Sequence, residues 1–222
     1  MTASIYINVP EGFFVRNPAD TDLGKRIIKE SISLMDKLGF DDYTFKKLAD
    51  KIESTEASVY RYFKSKHQLL SYLVSWYWSW VDYQIEVKTT NIDDPKRKLE
   101  TALEVLTESD KEDPNVPHID EHALHRIIIA QSARVYMTRT EAEFVDQPED
   151  GHFLLHKRLH DLIAEYNPKY PTPRFLAGTL IAAVHRQFYS ANYGERKPTA
   201  KMERHRGEIH SFLTHLTFAT LG

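Results

Sequence analysis

Residues 43–63, YTFKKLADKIESTEASVYRYF, admit few foldings. Two short runs with apolar residues at helical spacing flank the break Glu53-Ser54-Thr55, which predicts helix, turn, helix. Thr44 can cap the first helix, and Thr55 can cap the second by accepting from the backbone N–H of Ser58. Val59 and Phe63 lie four apart and form an inward stripe. Ala57, Ser58, Tyr60 and Arg61 fall on or beside the opposite face. A helix whose first half is as small as Glu56-Ala57-Ser58 can come close to a grooved partner, which is what reading base edges in a major groove requires.

The rest of the chain is consistent with an all-α fold. Eight Gly and ten Pro among 222 residues are few breakers. Apolar residues at helical spacing predict a first helix from an Asp20 cap to Gly39, with a face of Ile27, Ile28, Ser31, Leu34, Met35 and Leu38. A fourth helix follows a Ser65-x-x-Gln68 capping box and runs to about Val87. Five more are expected near 95–108, 118–137, 148–166, 173–193 and 198–219, the last but one stopped by Gly194. Asp94-Pro95 and Thr172-Pro173 serve as cap and first-turn pairs. Solvated loops are expected at 107–117 and 138–147. Residues 1–18 form an arm, 19–72 a small helical domain and 73–222 a larger one.

The chain has no cysteine, which excludes disulfides, thiolate zinc sites and a cysteine nucleophile. No apolar run reaches the ~18 residues of a membrane span, and the opening MTASIYINVPEGF lacks the blocks of a signal peptide. A cytoplasmic protein without membrane partners is expected. The net charge is −3, which announces no nucleic-acid binder. From Thr44 to Leu70, however, six basic residues (Lys46, Lys47, Lys51, Arg61, Lys64, Lys66) face three acidic ones (Asp50, Glu53, Glu56). This local positive patch can neutralise phosphates, with a salt dependence of roughly 0.9 log units per contacted phosphate.

Over about residues 21–72 the sequence resembles the TetR/AcrR family of transcriptional regulators. Gly39-Phe40, Thr44, Leu48-Ala49, Ser58-Val59-Tyr60-Arg61-Tyr62-Phe63, Lys64-Ser65-Lys66 and Leu69-Leu70 carry the likeness. It implies a homodimer whose amino-terminal domains read two half-sites of double-stranded operator DNA, and a divergent helical domain that binds a small-molecule effector. By position it implies DNA contacts at Thr44, Lys46, Thr55, Glu56, Ala57, Ser58, Tyr60, Tyr62 and Lys66; Arg61 joins them from the outward face. The family's usual turn, Ala-Gly-Val, reads Ile52-Glu53-Ser54 here. A residue without glycine's freedom must make the bend, and a polar Ser54 replaces an apolar plug. Glu56 either reads a cytosine amine or favours the helix dipole.

Other features are less specific. Ile5, Ile7 and Val9 alternate, which suits an arm packed on protein rather than one reaching a minor groove through Arg16. Trp76, Tyr77, Trp78, Trp80 and Tyr83 crowd the fourth helix; Trp76, Trp80, Tyr83 and Ile128 are the candidate effector contacts, against a plain core role. His118, His122 and His125, and His152, His156 and His160, have spacing that can hold a divalent ion with Asp120 or Glu121. Histidines beside an apolar stripe are the commoner explanation, so no metal or cofactor is expected. Small residues among Leu180, Val184 and Phe188, with Phe212 and Leu216, suit a two-chain four-helix bundle. No nucleophile-and-base pair or phosphate loop argues for an enzyme. The expected function is a ligand-responsive repressor; the alternative is a structural DNA-bound factor using the same module without an effector.

Overall fold

The computed structural model describes residues 6–109, 111, 113–137, 150–192 and 200–222. Among these there are nine α-helices and no strand. They are α1 (Asp22–Leu38), α2 (Phe45–Lys51), α3 (Glu56–Tyr60), α4 (Lys66–Thr89), α5 (Pro95–Thr107), α6 (Glu121–Met137), α7 (Gly151–Tyr166), α8 (Pro173–Asn192) and α9 (Ala200–Leu221). The loop expected at 138–147, the stop at Gly194 and Ile5 lie outside the described residues. Among the described residues no helix is long and apolar enough to cross a membrane.

Local chemistry sets the helix starts. Pro18–Asp20 form a 3-10 turn whose first N–H bonds to the Asn17 side chain. Asp20 is therefore not the cap of α1. Thr21 is, its hydroxyl accepting from the Gly24 N–H at 3.0 Å. Gly24 is required by proximity, since a Cβ there would stand 2.2 Å from the Pro18 carbonyl oxygen. Gly39 ends α1 at φ 80°, its N–H returning to the Met35 carbonyl. Asp94 caps α5 by accepting from the N–H groups of Lys96 and Arg97, with Pro95 in the first turn. Asp120 accepts from the Ala123 N–H at 2.8 Å, which starts α6 three residues later than its apolar spacing predicts.

The backbone divides into two compact units. One draws on residues 1–77 and 111–150, the other on 78–110 and 151–222, so α4 belongs to both. In the first unit Ile27, Ile28, Ile32 and Met35 of α1 are buried with Leu48, Val59, Phe63, Leu69 and Leu73. Ser31 and Tyr43, both fully buried, share a hydrogen bond of 2.8 Å between their hydroxyls, and burial pushes the Tyr43 hydroxyl's pKa up. α6 packs on α1, where Arg126 donates to both oxygens of Asp36 at 2.8 and 2.9 Å. In the second unit α5 packs on α7 and α9, and α8 packs on both α7 and α9. Leu99, Leu103, Leu159, Ile163 and Leu213 fill this interior. Arg158 of α7 forks onto Asp82 and reaches Glu86 at 3.0 Å.

Candidate nucleic-acid interface

The five-residue α3 is too short to be stable alone. Val59 and Phe63, both completely buried, hold it in place, and each such burial contributes roughly 2 kcal/mol. Thr55 caps it as the spacing predicts, its hydroxyl accepting from the Ser58 N–H at 3.2 Å and meeting the Ser58 hydroxyl at 3.0 Å. Glu56, Ala57, Tyr60 and Arg61 are left exposed and Ser58 half-exposed. Tyr60 projects outward with its ring edge on Phe45, 5.1 Å between centroids.

Thr44 caps α2 by accepting from the Lys47 N–H at 3.2 Å, which leaves Thr44 and Lys46 exposed at the start of that helix. The turn after α2 is closed by two backbone bonds. Ser54 N–H reaches the Ala49 carbonyl at 2.9 Å, and Glu53 N–H reaches the Asp50 carbonyl at 3.4 Å. That pattern needs a left-handed residue between them, and Glu53 takes it at φ 52°. It is the only non-glycine residue with positive φ among the described residues.

Two of the expected DNA contacts are engaged within the protein. Tyr62 is 2% exposed, and its hydroxyl meets that of Thr21 at 2.7 Å. Lys66 spends all three ammonium protons on the carbonyls of Phe40, Asp41 and Tyr43, at 3.0, 2.9 and 3.2 Å, with Nζ 4.8 Å above the Phe40 ring. It braces the segment between α1 and α2. The capping box also differs in detail: Gln68 accepts from Lys64 N–H rather than Ser65 N–H, and donates to the Gly12 carbonyl of the arm. Ile7, Val9 and Phe13 of that arm are buried.

The arrangement is therefore a short helix clamped from behind, with small and polar side chains turned to solvent inside a basic stretch. Residues 27–73 match the family model described as bacterial regulatory proteins, tetR family. That stretch carries the family's amino-terminal module. The matched stretch contains α2 and α3, which form its helix-turn-helix.

Solved structures share the fold of this chain at low identity. AibR, in complex with isovaleryl coenzyme A and operator DNA, matches with TM-score 0.59 and 14% identity over 85% of this chain and 96% of its own. The fatty acid degradation regulator FadR from Bacillus halodurans gives 0.59 and 15% over 85% and 93%. The ketosteroid transcriptional regulator KstR2 of Mycobacterium tuberculosis gives 0.60 and 14% over 89% and 97%. No curated protein matches the chain.

The remaining candidates fall in several places. Trp76 and Ile128 are buried in the first unit; Trp80 is buried and Tyr83 half-buried in the second. Leu180, Val184 and Phe188 are 0%, 3% and 2% exposed within a single chain, so they have no surface left to offer a partner. Phe212 is 48% exposed and Leu216 half-buried. The exposed or half-exposed stripe of α8 is instead Phe175, Thr179, Ala182, Arg186 and Tyr189, with Phe175 at 74%. Their spacing alternates four and three residues, the 3.5-residue period of helices that pair along their length. That period was present in the sequence and was masked by the larger apolar residues beside it.

The histidines do not converge. His152 sets its ring edge on Trp78, His160 bonds to Asp161 at 2.9 Å, and His125 packs against Tyr77. Burial, helped by Arg174 and then His160, lowers the pKa of His156; burial followed by Lys25 and Lys29 lowers that of His118. Glu121 is engaged by the Asp113 N–H at 2.9 Å. Among the described residues no three metal-binding side chains come together.

Proposed function

We propose that this protein is a homodimeric, cytoplasmic repressor of the TetR family, released from its operator by a small-molecule effector, and that it has no catalytic activity. The observation carrying this reading is the exposed face of α3, Glu56, Ala57, Ser58, Tyr60 and Arg61, on a helix whose inner side is fixed by Val59 and Phe63. Thr44, Lys46 and Thr55 flank it as phosphate contacts.

The stripe through Phe175 and Tyr189 of α8, with Phe212 of α9, is the dimer face in this reading. Two-fold pairing of the chains matches two half-sites of an operator. Effector binding is placed in the second unit, with Trp80 and Tyr83 of α4 among its contacts. An effector that binds the DNA-incompetent arrangement more tightly weakens operator binding by the same factor. Isovaleryl coenzyme A on AibR, and the fatty acid and ketosteroid roles of FadR and KstR2, favour an apolar acyl or lipid-like effector.

The test is to select a binding duplex from a random pool and titrate the complex with short acyl coenzyme A thioesters, free fatty acids and steroids. Release by one class at stoichiometric occupancy is expected. Retention of no duplex at moderate salt overturns the DNA-reading part, and a complex indifferent to every class overturns the effector part.

A further inference from the structure

The amino-terminal arm is bolted to the end of the recognition helix. Val15 N–H donates to the Tyr62 carbonyl at 2.8 Å, and Gln68 donates to the Gly12 carbonyl at 2.9 Å. Phe13 is buried and Phe14 sets its ring edge on Tyr72. The Asn17 amide donates to the Tyr6 hydroxyl at 2.6 Å, closing the arm on itself. Between these anchors Arg16 is exposed, with its guanidinium carbon 5.5 Å from the centre of the Tyr62 ring. Among the described residues no carboxylate pairs with it.

A long cationic side chain ordinarily loses rotamer freedom when it binds a partner. Here much of that loss is already incurred: the backbone on one side is hydrogen-bonded to residue 62, and the ring beneath supplies a cation–π seat. Arg61 and Lys64, both exposed, flank Tyr62 along the chain. A helix-turn-helix recognition helix meets base edges with its amino-terminal residues. A cation fixed at the carboxyl end of α3 therefore lies toward the groove's edge, where the phosphates run.

We propose that Arg16 is an additional DNA-backbone clamp, held over Tyr62 and contacting one phosphate beside the groove that α3 enters. The packed arm thus serves DNA binding without entering a minor groove. This rests on the DNA-reading function proposed above and adds a contact that the helix-turn-helix itself does not contain.

The experiment measures binding of a duplex selected by the wild-type protein, from 50 to 300 mM salt, for wild type, Arg16→Ala and Arg16→Lys. Arg16→Ala is expected to lower the slope of log affinity against log salt by about 0.9, one phosphate, with unchanged base preference and melting temperature. Arg16→Lys should keep most of that slope. A wild-type slope and affinity in Arg16→Ala overturns the clamp. So does an altered base preference at unchanged slope, which would mean base reading. Wild-type protein that binds no duplex removes the functional reading instead, and Ala57→Glu, expected to abolish binding whatever Arg16 does, separates the two failures.

Discussion

Thr21 and Tyr62 meet hydroxyl to hydroxyl at 2.7 Å, tying the first residue before α1 to the second residue after α3. The same Thr21 oxygen caps α1 through the Gly24 N–H. The recognition helix is thereby indexed to the amino end of α1 by a buried side chain. Tyr62→Phe keeps the ring and removes the bond. It is expected to cost about 1 kcal/mol of stability and leave the salt slope of DNA binding unchanged. Urea unfolding and binding titrations check both; a slope reduced by one phosphate at full stability would restore Tyr62 as a DNA contact.

Lys66 follows the same logic with more at stake. Its ammonium satisfies three carbonyls between α1 and α2. Lys66→Met should lower stability by roughly 1–2 kcal/mol, with affinity for DNA falling only as far as the folded fraction falls. Measuring both by denaturation and by titration at a temperature well below the melting point separates bracing from phosphate contact.

Glu53 occupies a left-handed position that suits glycine. A side chain there costs roughly 1–2 kcal/mol, partly offset by the extra freedom glycine gains in the unfolded chain. Glu53→Gly is expected to raise stability by about 1 kcal/mol without changing base preference. A drop in the urea midpoint would show that the Glu53 side chain contributes something the backbone geometry does not reveal.

The exposed stripe on α8 and α9 makes a prediction opposite to that of the buried residues beside it. Phe175→Glu combined with Phe212→Glu should convert a sedimenting dimer into a monomer with unchanged helicity. Leu180→Ala, made in the core, should cost about 2–5 kcal/mol and leave the assembly a dimer below its melting point. A dimer that survives both glutamates contradicts this face.

The helix-turn-helix was legible because its signals are local. Val59 and Phe63 are one helical turn apart, Thr55 sits three before Ser58, and the basic residues cluster within one stretch. The work of Lys66 was not legible, since its partners lie 23–26 residues earlier and are backbone carbonyls without a sequence signature. The Asp36–Arg126 pair spans 90 residues and had no local mark either. On α8 the larger side chains Leu180, Val184 and Phe188 were expected at the partner face. They are core, because apolar bulk alone does not tell the inside of one chain from the join between two.

The central claim is that the outward face of α3 reads base edges. The most direct measurement is the sequence enriched from a random duplex pool by wild type, by Glu56→Gln and by Tyr60→Ala. Wild type is expected to enrich two half-sites related by a two-fold axis, and at least one variant to change preference at matching positions in both halves, by roughly 1–3 kcal/mol per position. The same enriched sequence from all three proteins, or none from wild type, would contradict it.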